Sequence, residues 1–241
     1  MHNGAPDAFY TSDDHSFREN DPYARAKYDL TMRWLAPVMK HGDLLYNVGV
    51  GGGYFNHLAS ARSLKIAGCE PDAEVFARAL ATAPPGVELF NCTLEEFAED
   101  RPPAKFVVMH DVLEHIEDDA RAVRALRKLV TADGTIVVSV PALAWLFGLH
   151  DEKLGHFRRY DGRTLRAVLE PEFVVQRFQW YGMASIPIAL YYSRLARKPY
   201  PAGATRSLVG QLYGTVCSLE SYLPEPIGTS IVVQLKPRNR T

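Results

Sequence analysis

The sequence predicts an α/β fold built on a doubly wound, seven-stranded sheet, with a helical insertion between the last two strands. Three observations predict it. The apolar run Leu44-Leu45-Tyr46-Asn47-Val48 feeds straight into Gly49-Val50-Gly51-Gly52-Gly53 and then into a helical pattern from Tyr54. Further on, short apolar runs alternate with amphipathic ones, as repeated strand–helix–strand crossovers require. Finally, Lys105-Phe106-Val107-Val108-Met109-His110 is apolar enough to be buried on both faces, as a central parallel strand is.

Taken in order, residues 1 to about 16 are polar and read as an arm that orders only when covered. From Asp21-Pro22 the pattern is helical, with Tyr28, Met32, Leu35 and Met39 on one face. Residues 1–40 thus read as an N-terminal arm and a lid helix lying across the ligand mouth. The helix after the glycine turn is expected over about Tyr54 to Arg62, a second strand over Leu64 to Cys69, and a helix from Ala73 to about Thr82 that Pro84-Pro85-Gly86 stops. Val87 to Phe90 is the third strand and Lys105 to His110 the fourth. Asp118 and Asp119 suit the positive end of a helix running to about Leu129. The fifth strand, Thr135 to Val140, is closed by Pro141. Asp161 is an N-cap, and Phe173 to Trp180 is the sixth strand. Residues 183–226 then intervene as two amphipathic helices, about Ala184 to Arg197 and Thr205 to Tyr222, joined by residues 198–203. The last strand follows at Gly228 to Gln234. The whole of 1–241 reads as one domain, of a size able to bury a substantial core.

Composition excludes several classes. A formal net charge of −1 offers no electrostatic footprint for a nucleic-acid backbone. Three cysteines, Cys69, Cys92 and Cys217, sit among apolar neighbours and suit a reducing, cytoplasmic setting better than a disulfide framework. No basic start is followed by an apolar run, and Met183 to Tyr192, interrupted by Pro187, is too short to span a bilayer.

The glycine turn carries the chemistry. Glycines admit positive φ and let a ligand approach main-chain N–H groups, while the following helix points its positive end there. A dinucleotide fingerprint needs a glycine where this chain has Tyr54, and no Gly-Lys-Ser/Thr follows for a P-loop. What remains is Gly49-x-Gly51-x-Gly53, with Glu70-Pro71-Asp72 ending the second strand, where an acid can accept from both hydroxyls of a ribose. Strand, glycine turn, helix, strand and acid come in that order.

On these residues, and on Asp111-Val112-Leu113-Glu114-His115-Ile116, the sequence resembles the class I S-adenosylmethionine-dependent methyltransferases, whose fold is Rossmann-like, and within them the branch of ubiquinone-biosynthesis O-methyltransferases. The resemblance covers about residues 20 to 181, with an echo at Gly228 to Val233. It implies a cofactor seat made by Gly49, Gly51 and Gly53 against the methionine part, Glu70 and Pro71 at the ribose, Thr93 and Leu94 at the adenine, and His110 beside the adenosine. Asn47 stands where the family has an acid near the cofactor's ammonium group, and Tyr23 and Lys27 fall where relatives touch its carboxylate. The implied reaction is methylation of a small molecule, with oxygen favoured over nitrogen or carbon. A non-catalytic binding protein is the alternative, motivated by Asn47 and Thr93 standing in place of acids.

Methyl transfer needs a base only when the acceptor carries a proton. Imidazole titrates near neutrality, so the candidates are His115, directly after the fourth strand, then His156 and His150. The last two belong to His150-Asp151-Glu152-Lys153-Leu154-Gly155-His156-Phe157-Arg158-Arg159-Tyr160, a loop expected to line the acceptor pocket with Tyr160 as its anchor. Glu114 is expected to fix the loop by accepting N–H bonds. In some relatives an acid-x-x-Glu-His segment holds a divalent metal, which would implicate Asp111, Glu114 and His115 with His156 as a fourth ligand; no metal is the reading adopted. The insertion roofs an apolar substrate or pairs two copies in a homodimer, in preference to lying on a membrane.

Overall fold

The computed structural model describes residues 21–196, 208–223 and 226–239. The expected arm and the link at 198–203 lie outside the described residues. In chain order the principal elements are α1 (Pro22–Leu35), β1 (Leu44–Val48), α2 (Tyr54–Ser60), β2 (Lys65–Cys69), α3 (Ala73–Thr82), β3 (Val87–Phe90), α4 (Leu94–Asp100) and β4 (Ala104–His110). There follow α5 (Asp119–Lys128), β5 (Val130–Pro141), α6 (Leu149–Lys153), α7 (Gly162–Leu169), β6 (Phe173–Tyr181), α8 (Ile186–Leu190), α9 (Leu208–Glu220) and β7 (Ser230–Pro237).

The seven strands form one sheet in the order β3-β2-β1-β4-β5-β7-β6. The first five are parallel, as their crossovers dictate. The seventh runs antiparallel to both β5 and β6. The reason lies at the ends of the insertion. It leaves at Gly182 and returns at Thr229, whose hydroxyl donates to the Gly182 carbonyl at 3.2 Å. A chain that departs and re-enters at the same edge must run back down the sheet.

Alternation along the strands divides the core in two. Tyr46, Val48, Val107, Met109, Ile136 and Val138 face one layer with Phe97, Leu126 and Leu165. Leu45, Phe106, Val108 and Val137 face the other with Leu30, Leu35, Phe55 and Cys217. α1 starts at Asp21, whose side chain accepts the Tyr23 amide, with Pro22 tolerated at the first turn. Its buried face is Ala26, Lys27, Leu30, Thr31, Met32 and Leu35, rotated from the expected stripe. Tyr28 is partly buried, against Phe55 and His110, and Met39 lies beyond the end of α1; α9 packs on this helix as well. At Gly214 of α9 an added Cβ would come 3.0 Å from Pro22 Cβ.

The expected first insertion helix is broken into a 3-10 turn at Met183–Ser185, α8, and a π-helical turn at Tyr191–Ala196. Glu220 of α9 ties it to the second by accepting the Ala184 amide at 2.7 Å. Ser185 and Tyr213 hydroxyls meet at 2.7 Å.

Candidate active site

The carboxyl ends of β1, β2, β4 and β5 gather nearly every residue singled out by the sequence. Gly49, Gly51 and Gly53 all have positive φ, at 71°, 55° and 83°. At Gly49 a side chain is excluded twice over, since an added Cβ would also lie 2.2 Å from Val112 Cγ2. The glycine turn is thereby pressed against the segment leaving β4.

Glu70 closes the turn from β2. One carboxylate oxygen accepts the Gly51 amide at 3.0 Å and the other the Asp72 amide at 3.2 Å. Burial raises its carboxyl above the ordinary value, against the lowering effect of those two N–H groups. Asn91 donates to the Glu70 and Pro71 carbonyls at 2.8 and 3.1 Å. That bracing role was not legible from an asparagine after a short strand.

Asn47 is buried, and its Nδ2 donates to Asn56 Oδ1 at 2.9 Å, bracing β1 against α2. Thr93 is the N-cap of α4 in a capping box with Glu96, and its hydroxyl contacts the Glu96 carboxylate at 2.9 Å. Leu94 is buried beneath it. An adenine contact by the Thr93 hydroxyl would compete with this cap.

His110 ends β4 with Nε2 2.9 Å from the Thr31 hydroxyl and its ring 4.9 Å from both Tyr28 and Phe55. Burial, reinforced by the nearby Lys27 ammonium, lowers its pKa to about 3, so it is neutral at physiological pH. Lys27 is itself only 2 % exposed and is ion-paired with Asp111. Burial favours the protonated Asp111, yet Lys27 outweighs it and holds the carboxyl at about 2. Ser139 donates to the same carboxylate at 3.1 Å. Tyr23 hydrogen-bonds Thr229 and Ser230, each at 2.8 Å. The polar side of α1 is therefore docked on the sheet edge rather than left in solvent.

Glu114 contrasts with Asp111 three residues earlier. It is fully buried and neither carboxylate oxygen has a hydrogen-bond partner, so the side chain does not fix the loop as expected. Its backbone carbonyl does so instead, accepting the Phe157 amide at 2.8 Å. Burial, with Asp111 nearby, pushes the Glu114 carboxyl well above the ordinary range.

The same backbone bond brings His156 to His115, ring centroids 4.6 Å apart and nearly perpendicular. One polar atom from each of Glu114, His115 and His156 lies within 4.8 Å of the others. Asp111 stands outside this group, held by the Lys27 ammonium, so the metal set of Asp111, Glu114 and His115 is not assembled. Within the expected loop at 150–160, Asp151 and Tyr160 are buried while Glu152, Lys153, Gly155 and Phe157 are exposed. α6 carries His150 in its first turn, apart from the histidine pair. Tyr160 is buried, donates to Asp119 at 3.1 Å and bridges Ala142. A cavity of about 370 Å³ between Lys40, Lys105, Phe106 and Lys236 lies at the opposite, amino-terminal end of the strands and has no part in this site.

Residues 21–184 match a family described as a methyltransferase domain. Over 115 residues the chain is 35 % identical to the ubiquinone biosynthesis O-methyltransferase of Sodalis glossinidius (strain morsitans), covering 45 % of this chain and 46 % of that one. The chain thus spans about half the length of that curated relative in the match. Among solved structures, the N-methyltransferase NodS of Bradyrhizobium japonicum in complex with S-adenosyl-L-homocysteine superposes with TM-score 0.62 at 10 % identity, covering 95 % of this chain and 94 % of that one. A SAM-dependent methyltransferase of Archaeoglobus fulgidus gives TM-score 0.60 at 13 % identity, covering 92 % and 98 %. These two likenesses concern the fold. The family match runs from α1 through β6, and so takes in the glycine turn, Glu70 and the acid–histidine segment together: the chain belongs to the methyltransferase-domain family.

Proposed function

We propose that this methyltransferase uses S-adenosylmethionine to methylate an oxygen of a small-molecule acceptor. The observation that carries the reading is the glycine turn itself: three left-handed glycines beside a buried carboxylate at the carboxyl edge of β1 and β2. The side-chain-free backbone of the turn seats the amino-acid part of the cofactor, and Glu70, with Pro71 shaping its turn, takes the ribose hydroxyls. Asn47 offers Oδ1 to the ammonium group, because its Nδ2 is engaged with Asn56. Lys27 and Tyr23 serve the carboxylate end, and Thr93, Leu94 and His110 border the adenosine.

A sulfonium methyl is already activated, so most of the rate enhancement comes from holding nucleophile, carbon and sulfur in line and from excluding water. An oxygen acceptor is supported by the two imidazoles of His115 and His156 at the far side of the cleft, where a hydroxyl proton needs a destination. No metal enters the reaction in this reading. The insertion, with Leu212, Leu219, Tyr222 and Leu223 largely exposed, roofs an apolar acceptor or pairs two copies. Among the described residues no helix is long and apolar enough to cross a membrane, and the reading places the enzyme in the cytoplasm.

Calorimetric titration with S-adenosylhomocysteine tests the cofactor seat. Saturable binding is expected, weakened about tenfold or more in Glu70→Ala as charge-assisted bonds are lost. No heat at millimolar ligand defeats the reading. Mass spectrometry of wild-type enzyme with S-adenosylmethionine and a panel of phenols and amines tests the acceptor atom, with methyl ethers expected and methylamines alone refuting oxygen.

A further inference from the structure

Asp151 is a completely buried carboxylate in the segment beyond β5. It accepts from the Gly148 amide at 3.1 Å, Arg159 Nε at 2.7 Å and His156 Nδ1 at 2.9 Å. Its own carbonyl accepts the His156 amide at 2.9 Å. Burial favours the protonated acid, but the His156 bond and the Arg159 guanidinium outweigh it and hold the carboxyl below its ordinary range.

An ionised carboxylate has only lone pairs to offer. His156 Nδ1 must therefore carry the hydrogen, which leaves the lone pair of the neutral ring on Nε2. The backbone bond from Phe157 to Glu114 sets this ring against His115. Arg159 alone would satisfy an acid whose only task was to close the loop, and Arg159 already reaches past Asp151 to the Ala142 carbonyl at 3.2 Å. The imidazole on the same carboxylate oxygen is what a loop clasp does not need.

We propose that Asp151 is a positioning residue that holds His156 in its Nδ1–H form, so that Nε2 takes the proton of an acceptor hydroxyl entering beside His115. This rests on the methyl-transfer reading above and narrows three candidate histidines to one. As the acceptor oxygen bonds to the methyl carbon, the carbon–sulfur electron pair returns to sulfur and leaves a neutral thioether. The hydroxyl proton passes to Nε2, and the imidazolium remains paired with Asp151 until it releases that proton to water.

Nitrogen-15 NMR of histidine-labelled protein reads the ring directly. One resonance pair, assigned by its loss in His156→Gln, is expected to show a protonated Nδ1 and an unprotonated Nε2 at pH 8. In Asp151→Asn the carboxamide can donate as well as accept, so a mixture of the two tautomers replaces the single one. A crystal structure of the wild-type S-adenosylhomocysteine complex supplies the second measurement. Sulfur and Nε2 are expected roughly 5–8 Å apart, the span of a methyl group, an attack distance and a hydrogen bond. The Nε2–H tautomer in wild type, an unchanged tautomer in Asp151→Asn, or a separation beyond about 10 Å each overturns the proposal. So does stoichiometric Mg²⁺ or Mn²⁺ binding that His156→Gln abolishes, because Nε2 would then be occupied. Calorimetry separates the two levels. If wild type binds S-adenosylhomocysteine and the tautomer is wrong, this proposal alone falls; if it binds none, the methyl-transfer reading falls and takes this one with it.

Discussion

Gly49, in the glycine turn, and Gly155, in the segment beyond β5, hold almost the same left-handed conformation, at φ 71° and 73°. Around Gly49 the space for a side chain is already taken by Val112, whereas around Gly155 nothing lies within 4 Å of an added Cβ. The proposed cofactor side is built from backbone, a left-handed glycine turn that Val112 presses at Gly49. The proposed acceptor side joins two segments about 40 positions apart, through the backbone bond from Phe157 to Glu114 and the contact of His115 with His156, and adds the side-chain pair of Arg159 and Asp151.

The sharpest way to break that contrast is to put alanine at both glycines. Gly49→Ala is expected to lose S-adenosylhomocysteine binding in calorimetry and to cost roughly 2–4 kcal/mol in denaturant unfolding, strain and overlap together. Gly155→Ala bears the strain alone, about 1 kcal/mol. Equal costs would mean that the turn is looser than its packing implies.

Titration offers a second contrast. His110, on the cofactor side, has its pKa depressed from 6.5 to about 3. The unfolded chain therefore binds a proton that the native state refuses, and stability fully present above about pH 6.5 drains away as pH falls toward 3. His110→Gln is expected to lessen the acid-side loss by up to about 3 kcal/mol near pH 4, measured by urea unfolding against pH. An unchanged acid limb would show that the native state opens to let His110 charge.

Asn91→Ala probes the bracing of the cofactor side. It removes two bonds to the Glu70 and Pro71 carbonyls and is expected to cost about 1–2 kcal/mol, with cofactor affinity several-fold weaker. Unaltered affinity would show that Glu70 is held by the glycine turn alone.

Glu114, on the acceptor side, has the opposite sign to His110. Its carboxyl is raised well above 4.5, so above that value the unfolded state gives up a proton the native state keeps, and stability declines as pH rises. Glu114→Gln is expected to flatten this limb, gaining on wild type as pH rises above 4.5. A parallel decline in both proteins would locate the effect elsewhere.

How far each region was legible follows from the same contrast. The glycine turn and Glu70 stand within a run of about 25 residues, and local rules of strand, turn and helix place them. The capping roles of Asp21, Thr93 and Asp161 are equally local, although capping at Thr93 was read first as a cofactor contact. The Lys27–Asp111 pair spans 84 positions in the chain, and it removes from any cation set an acid that spacing alone would have included. Glu114 read as a loop-fixing acceptor because nothing local says that its side chain turns inward while its carbonyl does the fixing. The insertion's first helix was drawn as continuous, and packing breaks it into three pieces.

The sequence by itself determined the α/β class, the seven strands, the glycine turn with its acid, and through them the family. Periodicity, φ preference and turn chemistry act over a few residues and survive in the linear order. Only the tertiary structure decided the partners of the buried charges, the neutral state of His110, the pairing of His115 with His156 and the clasp of Asp151. Burial and Coulomb interaction depend on distance in space, and residues tens of positions apart, such as Lys27 and Asp111 or His115 and His156, become neighbours only when the sheet assembles.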